Sequence, residues 1–539
     1  MDLKELQSLK VLIVDDFAEV RRSTKSMLYS LGFKTAMDAY DANSATKMLQ
    51  ENSFDLILCD YNLGDSRNGL RLLEEWRHDK LITPKTIFVL ITGDTSKPIV
   101  VSAMEHQPDD YLSKPFTADI LNVRISRWFE RRRIMHKISV LRDRKDWVRL
   151  GKASVQVIKR YPRYRAQAQK FYAESLIQRK RYGDAESFLQ GLLDRRYQSW
   201  AHMELCKILI AKGELETAED NLRDLILNDL NQIEAYDYLA YVLGKRGNKK
   251  EQQQVLVQAI RLSPQNFSRL NRLTSVALEN GDYHRASLSL KDLVTMSTNT
   301  MHESVELYQR YVHNLSIEQE IPNSRSRARE IGKEIIRITK RMRSKYGQEV
   351  NARVFLDAIS VKTSSDPSSH TFGDKLDRLL AMTLDNVDHI NSISALTLVG
   401  TFYAAGRYND GDELVRRFSQ RFKRKPAIIK ELKLLQAEPV SLAIRQQAHE
   451  LNVRGIKLYE KDSYGEAIQL FKQAMELSPR HSGIILNLVQ SQVRMMKAAK
   501  PNPVIVKECR GYLERLDYLP REHGQYTRYK KLKEQFSKL

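Results

Sequence analysis

Three aspartates close two apolar runs near the N-terminus. Val11 to Asp16 reads Val-Leu-Ile-Val-Asp-Asp, and the run Phe54 to Cys59 is followed at once by Asp60. Two more polar residues stand behind later runs in the same way: Thr92 after Thr86 to Ile91, and Lys114 after Asp110 to Leu112. Carboxylates gathered in one place repel unless a cation lies among them. Hard oxygen ligands suit a magnesium ion that keeps some waters and shares its other positions with a phosphoryl group. A phosphoryl on a carboxylate oxygen needs donors and a cation around its equatorial oxygens, which the Thr92 hydroxyl and the Lys114 ammonium supply. These residue types point to phosphoryl chemistry.

Bringing them together requires a parallel sheet. Continuous aliphatic and β-branched runs bounded by polar residues fit strands buried on both faces, and ligands of open α/β sheets bind beyond the carboxyl ends of such strands. Lys114 precedes Pro115, and the residue before proline is pushed towards extended geometry, which holds its side chain over that edge. Taken singly, each residue has an ordinary explanation. Asp-Asp after a strand serves as a helix N-cap, Thr92 as turn chemistry, and Tyr111 as a half-buried strand residue. Five such features in one order decide for a site.

Over Lys10 to Phe129 this set resembles the receiver domain of bacterial two-component response regulators. The resemblance implies a doubly wound, flavodoxin-like α/β domain with a five-stranded parallel sheet over residues 1–129. It implies that Asp60 is the phosphoacceptor for a histidine kinase, and that Asp15, Asp16, Asp60 and the backbone carbonyl of Asn62 hold Mg2+. Thr92 and Tyr111 resemble the pair that changes rotamer after phosphorylation, with Lys114 on the phosphoryl group. The loop Tyr-Asn-Leu-Gly-Asp-Ser-Arg-Asn-Gly after Asp60 departs from the family pattern. It lacks a Met-Pro pair and carries one more residue before Gly69.

A chain of 539 residues exceeds what one core holds, so several domains are expected. Its 42% hydrophobic and 29% charged residues describe a globular protein. No window approaches twenty uninterrupted apolar residues, and Met-Asp-Leu-Lys-Glu-Leu is no signal segment, so a cytoplasmic protein without membrane insertion is expected. Cys59, Cys206 and Cys509 are far apart and read as reduced packing thiols. The net charge of +21 is uneven: residues 1–129 carry 16 Lys and Arg against 19 acids, the remainder 72 against 48. That balance raises nucleic acid, anionic membrane and acidic protein as partners without choosing among them.

A helix starting near Thr117 is predicted to run without Gly or Pro towards Arg149. Fifteen Lys and Arg against three acids lie between Arg124 and Arg165, so residues 130–160 read equally as a signalling strut or a solvated linker. Beyond it the chain repeats. Gly213, Gly247 and Gly281 are 34 apart, as are Leu205, Leu239 and Leu273, and Leu222, Leu256 and Leu290. Within a unit Leu205 and Leu209 share one helical face, Gly213 breaks the chain, and Ala218, Leu222 and Leu225 face inwards from a second helix. Pro264 stops one such second helix. An earlier unit spans Ala173 to Leu192, and later ones surround Phe402 to Phe418 and Gly455 to Pro479.

These units resemble the tetratricopeptide repeat, a helix-turn-helix that stacks into a solenoid. The resemblance implies a first array over 161–362 and a second over 373–539, with the Ser- and Thr-rich stretch Lys362 to Phe372 as a hinge. Gln252 stands where the family has a small residue, and the signature Trp is absent from the units. Helically spaced leucines read as core. By the resemblance, first-helix residues such as Lys207, Tyr241 and Lys245 line a concave surface, where two lysines would favour an acidic partner segment.

The reading that follows is a signalling adaptor and not an enzyme, its only chemistry being phosphoryl acceptance and self-hydrolysis at Asp60. No Gly-rich phosphate loop, His-Glu-x-x-His or cyclic-dinucleotide motif is present. Two alternatives stand beside it: a nucleic-acid-binding regulator using the basic helices, and a phosphate sink for a histidine kinase.

Overall fold

Three of five strands are the apolar runs themselves. The computed structural model describes residues 3–537 apart from 65–67, 84, 94–104, 106, 299, 301, 321–324, 364–369, 438–441, 480, 499–502 and 517–524. Strands β1 (Lys10–Val14), β2 (Thr35–Ala39), β3 (Leu56–Asp60), β4 (Ile87–Thr92) and β5 (Asp110–Ser113) form one parallel sheet in the order β2-β1-β3-β4-β5. Every residue of β3 and β4 is buried, because helices cover both faces. One face packs Leu12, Ile57, Phe88 and Leu90 against Trp76, the other packs Val11, Leu58 and Val89 against Leu121 and Ile125. The register pairs Val14 with Cys59, Asp60 with Ile91 and Thr92 with Ser113, so the residues that end the strands share one edge.

The chain divides into two compact units, Met1–Glu303 and Ser304–Leu539. In the first, helix Ala118–Asp143 leaves the sheet and stops sooner than its lack of Gly and Pro predicts. Lys145 takes a positive φ of 55°, and the Asp146 carboxylate accepts from the Arg149 amide to cap a new helix, Trp147–Arg160. Three of the basic residues of the long helix are tied to the sheet. Arg131 donates to the Asp109 carbonyl at 2.7 Å, Arg132 to that of Lys85 at 2.5 Å, and Arg124 reaches Asp110 at 2.9 Å.

Antiparallel-type helix pairs follow, each with a left-handed residue at its turn. Ser199–Lys212 and Leu215–Asn228 meet at Gly213, Ile233–Lys245 and Lys249–Leu262 at Gly247, Phe267–Glu279 and Tyr283–Ser297 at Gly281. Ala218, Leu222, Leu225, Leu256, Ala286 and Leu290 are fully buried between the helices. Gln252, in the Ala218 and Ala286 column, is accommodated because Gly244 faces it. A Cβ on Gly244 would lie 2.5 Å from the Gln252 amide. In the second unit Ser392–Ala404 pairs with Tyr408–Arg421 through Gly406, and Leu442–Glu460 with Tyr464–Leu477. There Gly455 lies against the Phe471 ring, which a Cβ would meet at 2.6 Å. The expected hinge, Lys362 to Phe372, lies inside the second unit, and its residues 364–369 are outside the described residues.

Helix Val305–Glu320 carries a polar face into the second unit. Gln309 donates to the Ser394 hydroxyl at 3.0 Å and accepts from Asn391 at 2.6 Å, while His313 Nδ1 lies 2.8 Å from the Thr397 hydroxyl.

Two consequences are measurable by urea unfolding of the full chain. The residue at φ 59° in the first pair's turn is Lys180, where the next three pairs have glycine at 72° to 84°. Left-handed backbone costs a Cβ-bearing residue about 1 kcal/mol, so Lys180→Gly is expected to stabilise and Gly213→Ala to destabilise by about that amount. Equal midpoints for both would contradict the turn assignment. The second consequence concerns pH: burial, and secondarily the Lys362 ammonium, push the His313 imidazole down to about 4 from 6.5. A group whose pKa falls on folding leaves stability whole above the unfolded value and erodes it as pH drops from 6.5 towards 4. The second unit should lose about 2–3 kcal/mol over that interval, and His313→Gln should flatten the dependence.

Candidate functional site

Asp60 is the last residue of β3, and its carboxylate is 7% exposed. The Lys114 ammonium stands 2.7 Å from Asp60 Oδ1 and 2.7 Å from Asp15 Oδ2. Asp15 follows β1 directly, its amide donating to the Ala39 carbonyl of β2, so the first and third strands bring the two acids to one lysine. The Lys114 amide donates to the Thr92 carbonyl at 2.8 Å, and the Lys114–Pro115 peptide is cis. Thr92, buried, ends β4 at the same edge. Tyr111, half-buried on β5, packs against the cluster that holds Cys59 and Leu90.

The electrostatics follow from burial. Removal from water pushes the Asp60 carboxyl up, and the Asp15 charge adds to this, while the Lys114 ammonium pulls the other way without cancelling it. Burial disfavours the Lys114 charge, but the two carboxylates hold its pKa above the ordinary value. Cys59 is pushed well up by complete burial and is a packing thiol. The helix-cap explanation of the acid pair does not hold for Asp15. Its Oδ1 accepts from the Phe17 amide at 2.9 Å, yet the next helix, Ala18–Ser30, starts at Phe17 without a side-chain cap.

The second oxygen set is suited to a cation. Asp16 Oδ1 is buried and has no hydrogen-bond partner, and a Cβ on Gly64, which has φ +76°, would come within 3.3 Å of Asp16 Oδ2. Asn62 donates its amide to Asp60 Oδ2 at 3.2 Å. Among the described residues no three acidic, His or Cys side chains are grouped to hold a metal ion, and the Lys114 ammonium stands between Asp15 and Asp60. An orphaned buried carboxylate oxygen is costly in isolation, so the donor set fits a hard divalent ion that would satisfy it. The loop after Asp60 folds back through a bridge between Asn62 and Asn68, and its residues 65–67 are outside the described residues. Gly69 is required there: its Cβ would stand 2.4 Å from the Asp60 carbonyl oxygen.

The three residues expected on the helical surface are not equivalent. Lys207 is already neutralised, 2.7 Å from Glu204 and 2.7 Å from Glu234. Tyr241, 39% exposed, lies under two cations, with Lys245 Nζ at 5.6 Å and the Arg272 guanidinium at 5.9 Å. Sequence reading missed the residues through which the helices reach the α/β domain, Asn68, Glu105, Gln265 and Arg269, for which no local pattern exists.

Residues 11–126 match the family model described as the response regulator receiver domain. The chain is 33% identical to the chemotaxis protein CheY of Pseudomonas aeruginosa over 123 residues, 23% of this chain and 98% of that protein. It is equally 33% identical to chemotaxis protein CheY-3 of Vibrio cholerae over 125 residues, 23% and 95% of the two chains. Among solved structures it is similar to a receiver domain protein of Methanospirillum hungatei, with 30% identity, TM-score 0.22 and coverage of 23% of this chain and 98% of that one. The receiver domain of the Francisella response regulator 1452 gives 25% identity, TM-score 0.21 and coverage of 23% and 98%. No described helix is long and apolar enough to cross a membrane.

Replacing Lys114 by Met is expected to leave Asp15 and Asp60 buried without a counter-charge. The loss should be about 2–4 kcal/mol in urea unfolding at pH 7, recovered in part when Asp60 is also replaced by Asn. An unchanged midpoint would mean the ammonium is not what holds the acids together.

Proposed function

This chain belongs, through its N-terminal domain, to the response regulator receiver family, and we propose that it is a phosphorylation-switched signalling adaptor. Asp60 takes a phosphoryl group from a histidine kinase, and the helical region, read as tetratricopeptide-like repeats, binds a partner protein. The observation that carries this reading is the Lys114 ammonium held between Asp15 and Asp60 at the carboxyl edge of the sheet.

In the transfer an Asp60 carboxylate oxygen attacks phosphorus, a P–O bond forms, and the P–N bond to the donor imidazole breaks. The Asp15, Asp16 and Asp60 carboxylates and the Asn62 carbonyl would hold a Mg2+, which would supply charge neutralisation at the phosphoryl oxygens. Lys114 donates to the arriving phosphoryl group, and the Thr92 hydroxyl turns towards it with Tyr111 following. Water later hydrolyses the acyl phosphate and returns Asp60. The phosphoryl group adds about −1.5 to −2 charge, enough to bias a two-state packing by differential contacts.

On the output side, Tyr241 with Lys245 remains for an acidic partner segment, whereas Lys207 is spent on its own glutamates. The arginines of Ala118–Asp143 that bond to carbonyls and carboxylates favour a strut over a nucleic-acid surface. Cytoplasmic action belongs to the same proposal.

Acetyl phosphate with Mg2+ is expected to give a slower phosphate-affinity-gel band for the wild-type chain and none for Asp60→Ala. Lys114→Met should slow uptake at least about tenfold, the effect of losing one charge-assisted contact. Equal labelling of Asp60→Ala would remove the reading.

A further inference from the structure

Glu105 lies between β4 and β5, and its carboxylate is not turned to solvent. It accepts from Arg269 at 2.5 Å and from the Ser263 hydroxyl, both on the helical pairs of the same unit. Arg269 is 1% exposed and is held from its other side by Asp237 through bonds of 2.8 and 2.7 Å. The paired carboxylates hold the guanidinium charged although burial opposes it. A second tie runs in parallel: the Asn68 amide donates to Gln265 at 2.6 Å. Beside it Phe267 and His302, stacked at 4.6 Å, line a cleft with Leu70 and Arg71.

These ties leave the two strands that end in the candidate phosphoryl-binding residues. Asn68 is bridged to Asn62, whose amide donates to Asp60 Oδ2, and Gly69, next in the chain, donates to the Tyr61 carbonyl against the Asp60 backbone. Glu105 is carried by the segment that follows Thr92. An oxygen of Asp60 that becomes an ester oxygen is a poorer acceptor for the Asn62 amide, and Lys114 follows the phosphoryl oxygens. Asn62, bridged to Asn68, therefore loses its hydrogen bond to the Asp60 carboxylate.

We propose that Arg269, with Ser263 and Asp237, forms a carboxylate pocket in the helical region that grips Glu105 of the receiver in the unphosphorylated chain, and that phosphorylation releases it. The inference rests on the phosphorylation of Asp60 proposed above. It puts the switch on the Asn68 and Glu105 side of the receiver. The freed pocket, a buried arginine beside a hydroxyl, is then open to another acidic side chain.

The test uses the full chain, with intact mass reporting the phosphoryl group and hydrogen exchange reporting the pocket. Acetyl phosphate with Mg2+ is expected to raise exchange across Ser263 to Arg272 at least about fivefold in the wild type and not at all in Asp60→Ala. Glu105→Gln, which keeps a hydrogen-bonding group and loses the ion pair, should show raised exchange without phosphate. By reciprocity it should bind beryllofluoride with Mg2+ roughly 5- to 150-fold more tightly than the wild type. Mass showing a phosphorylated chain with unchanged exchange, or a Glu105→Gln affinity equal to the wild type, overturns the latch and leaves the phosphoacceptor standing. A chain that never gains mass fails at Asp60 instead, and phosphate-driven release fails with it.

Discussion

One ammonium ion holds the functional edge together. Lys114 bonds to Asp15 and Asp60 at 2.7 Å each, and its own amide bonds to Thr92, so a single residue ties the ends of four parallel strands. Sequence reasoning gave the central place to a divalent metal because three aspartates cannot crowd unaided. The structure answers that requirement with a side chain and leaves one oxygen of Asp16 unsatisfied. Three carboxylates against one ammonium leave this edge short of positive charge. Burial raises the Asp60 carboxyl despite the lysine, which marks the same shortfall.

Sequence legibility followed the range of the interactions concerned. Strands β1, β3 and β4 are readable because each is a continuous apolar run, and Asp15, Asp60 and Thr92 are readable because each stands at the end of one. The edge strand β2 is Thr-Ala-Met-Asp-Ala, with three of its five residues half-buried and two buried, and has neither a continuous run nor a clean alternation. The helical pairs are readable through the glycine column, since a left-handed turn leaves its trace at one position. Lys180 and Asp462 take the same conformation without glycine, so the trace fades in those units.

Long-range charge pairs left no such trace. Arg269 and Glu105 read singly as solvated surface charges, and only folding shows the arginine to be 1% exposed between two carboxylates. Lys207 fails in the opposite sense. A lone lysine at a concave position suggests a partner's acid, but Glu204 three residues back and Glu234 on the next unit's first helix answer it within the chain. Gln252 is a third case, an apparent departure that becomes regular once Gly244 is seen across from it. For Arg269 the deciding neighbour lies 164 residues away, at a separation that composition and periodicity do not encode.

The same reasoning changes what the excess of positive charge means. Net charge counts acids against bases, yet Arg131 and Arg132 donate to backbone carbonyls that precede β5 and β4, Arg132 pairing with Asp55 as well. Arg421 likewise donates to the Val387 carbonyl. Such arginines remain in the net charge of +21 while their geometry is fixed by neutral acceptors at strand starts and helix ends. A nucleic-acid surface needs guanidinium groups whose donors face outwards together. Cations committed to closing their own backbone offer that only in part.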